Sequence, residues 1–199
     1  MVGPAPTRAE AGLPETGFIF CCFNSNWKIT APLFDIWMRL LKQVEGSVLW
    51  LLDGPGPPNL RAQATKRGID PARLVFAPKA RPEAHLARHQ LADLFLDTLP
   101  YNAHTTASDA LWTGVPLVTC IGEVFQSRVA ASLLKAIGLP ELVTTTPQTY
   151  EALALELAQN PALLAATRDK LQRNRLTTPL YDSARFAANI EAAYKAMLA

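Results

Sequence analysis

Apolar runs too short for helices recur in this chain at residues 18–23, 48–52, 74–77, 94–96 and 116–120. The first, Phe18-Ile19-Phe20-Cys21-Cys22-Phe23, has no polar alternation. A strand without a polar face must be covered on both sides, which is the mark of a parallel sheet between helices. Parallel neighbours need a crossover connection, usually a helix, and the intervening segments supply it. Leu33, Ile36, Trp37, Leu40, Leu41 and Val44 recur at helical spacing behind a Thr30 cap and Pro32. Further helices are expected from about residue 60 to Gly68, over about 83–90, from Thr105 or Thr106 to near Gly114, and over 123–137 with Gly138 as its stop. Gly54-Pro55-Gly56-Pro57-Pro58 reads as a loop, because proline lacks the N–H that a helix or ladder needs. The alternation predicts an α/β fold, a doubly wound parallel sheet of Rossmann-like type with right-handed crossovers. After a short strand near 142–143, caps at Thr146, Asn160 and Ser183 precede extra C-terminal helices. Residues 1–16, with three prolines, two glycines and no apolar period, read as a linker or lead-in to a domain over 17–199.

Bulk properties exclude several function classes. The 199 residues suffice for one sizeable core or two small domains. A net charge of +2 is too small to point to nucleic acid or an anionic membrane. No apolar run reaches the roughly 20 residues of a membrane span. No basic start followed by an apolar stretch marks a signal peptide. Cys21, Cys22 and Cys120 fit no metal-ligand spacing and read as buried free thiols in strands. The expected compartment is reducing, hence cytoplasmic.

In doubly wound sheets ligands bind beyond the C-terminal ends of the strands. The segment after the fourth run, Asp97 to Asp109, puts His104, Thr105 and Thr106 at the start of a helix. A helix N-terminus has unpaired N–H donors and partial positive charge, which suits a phosphate. Asp109, one turn further in, suits a pair of sugar hydroxyls. The simpler alternative is an ordinary threonine N-cap. The loop after the first run, Asn24-Ser25-Asn26-Trp27-Lys28, has Lys28 as its lone cation, fit to neutralise a diphosphate or simply solvated. After the third run, His85, Arg88 and His89 share a helical turn. An imidazole and a guanidinium there can stack on a base and bond its edge, or can belong to a polar surface helix. Gly122, followed by Glu123 at a helix start, permits close backbone approach. No Gly-x-Gly-x-x-Gly and no Walker A sequence is present, so nicotinamide-dependent and P-loop chemistry are disfavoured. No Asp-x-Asp is present to hold a divalent metal on a diphosphate.

Several stretches together resemble the protein O-GlcNAc transferase family, in its bacterial form. They are Phe23-Asn24 with Lys28-Ile29, the run from Ser47 to Leu52, Gln90-Leu91-Ala92-Asp93, His104-Thr105-Thr106 with Asp109, and Leu111 to Pro116. Gly122-Glu123, Ser127 to Ser132, and Pro179-Leu180-Tyr181-Asp182 complete the set. The resemblance runs from about residue 17 to the end. It implies a GT-B core of two facing Rossmann-like domains, preceded by tetratricopeptide repeats, with this chain as the second, donor-binding domain. Lys28 resembles the lysine on the diphosphate, His85 the histidine packed on uracil, and Arg88 the arginine beside it. Ala80 resembles the residue whose backbone reads the uracil edge. His104, Thr105 and Thr106 resemble the phosphate-binding turn, and Asp109 the carboxylate on the ribose. Ser25 stands where animal members carry a glutamine at the phosphates, and Pro82 where they carry a lysine near the ribose.

The resemblance thus implies the donor half of an inverting transferase that moves GlcNAc from UDP-GlcNAc to serine or threonine of proteins. No cofactor and no metal are expected. The acceptor-side domain with its active-site histidine, and the repeats that recognise protein substrates, are not found in this chain. Two alternatives stay open: a relative that transfers glucose from UDP-glucose to asparagine, and a UDP-binding module without catalysis. Phe186, Ile190, Ala193, Tyr194 and Met197 form an apolar stripe near the C-terminus. It is expected to pack on its own domain; the other reading is a contact with the acceptor half.

Overall fold

The computed structural model describes residues 2–198. Its strands are β1 (Ile19–Cys22), β2 (Val48–Leu52), β3 (Leu74–Ala77), β4 (Leu94–Leu96), β5 (Leu117–Cys120) and β6 (Val143–Thr144). Between them run α1 (Ala31–Gln43), α2 (Pro57–Lys66), α3 (Pro82–His89), α4 (Thr105–Trp112) and α5 (Val129–Ala136). Then follow α6 (Pro147–Gln159), α7 (Pro161–Asn174) and α8 (Ser183–Met197). All six strands are parallel, in the order β3-β2-β1-β4-β5-β6. The predicted doubly wound α/β fold is the one observed. The chain leaves β1 toward one edge and β4 toward the other, so the topological switch point lies between them, where such sheets open a ligand crevice.

The core explains the apolar runs. Every residue of β1 and β4 is buried, and Trp37 of α1, Trp50 of β2 and Tyr150 of α6 are almost wholly inside. Their polar atoms are not all idle. The Trp37 indole donates to the Tyr150 hydroxyl at 3.1 Å, and that hydroxyl donates to the Asp97 carbonyl at 3.0 Å. Two helices on the same face are thereby fixed to the end of β4.

Four local expectations are corrected. Pro57 and Pro58 open α2 rather than lying in a loop, because the first helical positions need no N–H partner. Glu123 starts no helix. Residues 121–128 turn back on themselves, with the Gly122 N–H on the Ser127 carbonyl at 2.9 Å, a 3-10 turn over Phe125–Ser127, and α5 only from Val129. A Cβ on Gly122 would lie 2.4 Å from the Ser127 hydroxyl, so the turn requires glycine there. Asp182, not Ser183, caps α8, its carboxylate accepting from the Arg185 N–H at 2.9 Å. Finally, α8 buries no residue: Phe186 is 66% exposed and Met197 79%. The stripe does not pack on its own domain. Thr146 and Asn160 do cap α6 and α7. The lead-in packs on the domain, with Leu13 in the core and the Gly3 carbonyl accepting from Gln90.

Candidate functional site

A cavity of about 470 Å³ opens at the switch point. The segments after β1, β3 and β4 line it, together with the last residue of β2. The end of β1 supplies Phe23, Asn24, Ser25 and Lys28; β2 supplies Leu52. The β3–α3 connection supplies Lys79 and Ala80, α3 itself supplies His85 and Arg88, and the start of α4 supplies His104, Thr105 and Thr106. Eight of the nine expected site residues therefore meet in one place. The ninth, Asp109, is not in the lining; it is half-buried on α4, near Tyr181, and burial raises its carboxyl pKa. His89 is also elsewhere. It lies in the core against Phe23, its Nδ1 bonded to the His85 carbonyl at 2.8 Å.

The α4 terminus is built for an anion. His104 occupies the cap position, but its side chain makes no capping bond. Among the described residues, the Thr105 and Thr106 N–H groups have no partner, the first paired one being Ala107 on the His104 carbonyl. The Thr106 hydroxyl is already committed, donating to Asn24 Oδ1. Asn24 in turn donates to Thr98 Oγ1 at 2.8 Å, so the turn is tied to the end of β1.

Lys28 faces the same space. Its ammonium donates to the Asn102 carbonyl at 3.0 Å and lies 3.9 Å from the Tyr101 ring centre. Burial lowers its pKa, opposed by the charge of Asp97. Asp97 is fully buried behind the turn. Its Oδ1 accepts from the Thr98 and Ala103 N–H groups at 2.7 and 2.6 Å, and its Oδ2 from the Thr119 hydroxyl at 2.6 Å. Burial pushes that carboxyl up to about 7, against those three bonds and the Lys28 charge.

At the opposite wall, the Arg88 guanidinium donates to the Pro78 carbonyl at 2.6 Å and to His85 Nδ1, and lies over the Phe23 ring. An arginine can only donate, so His85 Nδ1 accepts and its proton sits on Nε2. Burial, reinforced by the Arg88 charge, lowers His85 to about 4. At neutral pH its ring is therefore uncharged, fit for stacking on a base. A second cavity of about 590 Å³ shares the β4–α4 loop through Leu99 and Pro100, but its lining is mainly apolar, with Glu123 the only charge among the described residues, a poor seat for an anion.

Sequence reading missed Asn24, Asp97, Tyr101 and Asn102. Asp97 had a visible signal, a lone carboxylate directly after a buried strand. The others become visible only when β1 and β4 lie side by side.

The family model described as Glycosyl transferase family 41 matches residues 4–190. The chain belongs to this family. It is 42% identical over 187 residues to a UDP-N-acetylglucosamine–peptide N-acetylglucosaminyltransferase of Caenorhabditis elegans, covering 93% of this chain and 16% of that protein. A probable enzyme of the same description from Arabidopsis thaliana is 40% identical, covering 95% of this chain and 20% of that one. Among solved structures, a point mutant of the Thermobaculum terrenum O-GlcNAc transferase superposes with a TM-score of 0.87 at 32% identity, over 99% of this chain and 37% of that chain. The family 41 chain thus spans about a fifth or less of these two relatives and under two-fifths of the bacterial structure. Among the described residues no helix is long and apolar enough to cross a membrane.

Proposed function

We propose that this chain is the donor-nucleotide half of an inverting, metal-independent glycosyltransferase that moves GlcNAc from UDP-GlcNAc to serine or threonine of proteins. The observation that carries the proposal is the union, in one cavity, of an unpaired helix N-terminus, the Lys28 ammonium and the His85–Arg88 pair. The first two attract a diphosphate, and the neutral His85 ring with the Ala80 backbone suits a uracil. Ser25 and His104 complete the phosphate wall. Asp109, on α4 one turn beyond the lining, is the proposed contact of the ribose hydroxyls of a nucleotide that extends past Thr105 and Thr106.

As the bond from sugar to phosphate breaks, negative charge grows on the leaving diphosphate. Lys28 and the Thr105 and Thr106 N–H groups are already aimed there, so they stabilise the departing group without reorganising. Among the described residues no Asp or Glu lines the cavity. That supports direct displacement over a covalent glycosyl-carboxylate intermediate, which needs a carboxylate nucleophile. It also supports charge neutralisation by side-chain cations, since a divalent ion would want carboxylate ligands that this lining lacks. The attacking hydroxyl and the base that receives its proton come, in this proposal, from the acceptor half of a longer protein. The exposed stripe of α8 is then free to meet that half.

The test is calorimetric titration of this chain with UDP, ADP and GDP without added metal, repeated with Lys28→Ala and His85→Ala. Saturable binding that prefers UDP and falls about tenfold or more in each variant is expected, on the scale of one charge-assisted contact. A folded chain that ignores UDP, or binds all three nucleotides alike, overturns the proposal.

A further inference from the structure

Lysine is a poor choice for a pre-aimed cation. Its stem has several rotatable bonds, and fixing them costs rotamer entropy. An acidic partner would hold it, but would also cancel the charge that a diphosphate needs. Among the described residues Lys28 makes no salt bridge. It is held by the Asn102 carbonyl at 3.0 Å and by the Tyr101 ring face at 3.9 Å. Both attract an ammonium and neither neutralises it.

Tyr101 is itself held firmly. Its carbonyl accepts from the Thr98 hydroxyl at 2.6 Å. The next residue, Asn102, is pinned by its N–H on the Gln126 carbonyl and its side chain on the Thr98 carbonyl, both at 2.9 Å. The ring meets Trp27 edge-on at 5.5 Å and stacks with His104 at 5.4 Å. The aromatic surface is therefore a fixed part of the β4–α4 loop, and the loop carries the same turn that presents the free N–H groups.

We propose that Tyr101 is a positioning residue that holds the Lys28 ammonium at the cavity wall in its charged form. The consequence for transfer rests on the assignment of Lys28 to the diphosphate; the holding itself does not. The charged and titratable groups that face Lys28 are the Tyr101 phenol itself, Asp97 from the end of β4 and Cys22 from β1, while Lys79, His85, Arg88 and His104 share the cavity or its rim, so Tyr101→Phe also removes the phenol as a titrating neighbour. Asp97, with its midpoint at about 7, is ionised throughout the range in which Lys28 is read.

The experiment is an NMR pH titration of the lysine Cε–Hε signals of this chain, with the Lys28 signal assigned by its loss in Lys28→Met. In the wild type the Lys28 signals are expected upfield of the other lysines through the Tyr101 ring current, a measurement that needs no variant. In Tyr101→Leu most of the upfield shift is lost, leaving only the part from the more distant Trp27 ring at 5.7 Å, and the Lys28 midpoint falls by about 0.5–1 pH unit, a three- to tenfold change in its ionisation. Tyr101→Phe keeps the ring face and restores both. Lys28 signals at the ordinary lysine position, or a midpoint unmoved in a folded Tyr101→Leu chain, overturn the proposal. UDP titration then separates the two claims. If Tyr101→Leu and Lys28→Met both weaken UDP, positioning and the diphosphate assignment stand together. If the Lys28 midpoint moves while neither variant affects UDP, the positioning role stands and the diphosphate assignment fails.

Discussion

At the scale of single residues, the group that most of the site leans on never touches the cavity. Asp97 gathers two backbone N–H groups on one carboxylate oxygen and a hydroxyl on the other. Asp97→Ala strands all three donors in a buried place, at about 1–3 kcal/mol each. Asp97→Asn keeps the oxygen that takes both N–H groups, and its amide can donate to the Thr119 hydroxyl. Urea unfolding is expected to show a loss of roughly 3 kcal/mol or more for alanine and under half of that for asparagine. Equal losses would mean that the carboxylate's charge, and not its acceptor geometry, supports the loop.

Elements differ in how far they depend on the rest of the fold. The strands and α1 bury their apolar faces and are held from several sides. The C-terminal α8 buries nothing, so its 15 residues rely on their own helix propensity and the Asp182 cap. A helix of that length is marginal in water without tertiary packing. Removing the chain after Asp182 is expected to shift the thermal midpoint by no more than about 2 °C, while keeping the Tyr181 hydroxyl on the Ser108 carbonyl at 2.7 Å. A fall of 8 °C or more in calorimetry would show that α8 is docked on the domain after all. At the other end of the site, the turn over residues 121–128 is a product of contact: its Gln126 carbonyl takes the Asn102 N–H, and its Gly122 tolerates the Ser127 side chain. Nothing in Glu123-Val124-Phe125 forbids a helix, which is why periodicity alone predicts one there.

For the whole molecule, the buried titratable groups pull stability in opposite directions with pH. His85 and His89 are lowered to about 4 and about 3, first by burial. Below pH 6.5 the unfolded chain therefore binds protons that the folded chain does not, and stability falls with pH. Asp97 does the reverse. Its folded midpoint of about 7 lies above the ordinary carboxylate value, so it binds a proton on folding and loses stability as pH rises toward 7. Between pH 4.5 and 6.5 the wild type is expected to gain stability with rising pH, and Asp97→Asn to gain it more steeply. A shallower slope in the variant, read from denaturant midpoints, would refute this balance.

What the sequence determined by itself is the sheet and most of the cavity's chemistry. Strands without polar faces, joined by helical periods, leave a parallel sheet as the economical way to bury them, and its ligands must bind beyond the C-terminal ends of those strands; that the crevice opens between β1 and β4 comes from the strand order. Lys28, His85, Arg88 and the His104–Thr106 turn were legible because each stands in the loop or the first helical turns that follow a strand. What tertiary structure decided is which of those groups face one another. Asp109 sits one helical turn beyond the lining, half-buried on α4 near Tyr181, a placement that depends on which residues of α4 the C-terminal segment covers. Tyr101 and Asn102 came beside Lys28 because β4 pairs with β1, residues 74 apart along the chain in the Lys28–Asn102 bond. Periodicity records which residues are buried; only the pairing of strands distant in sequence fixes which side chains touch.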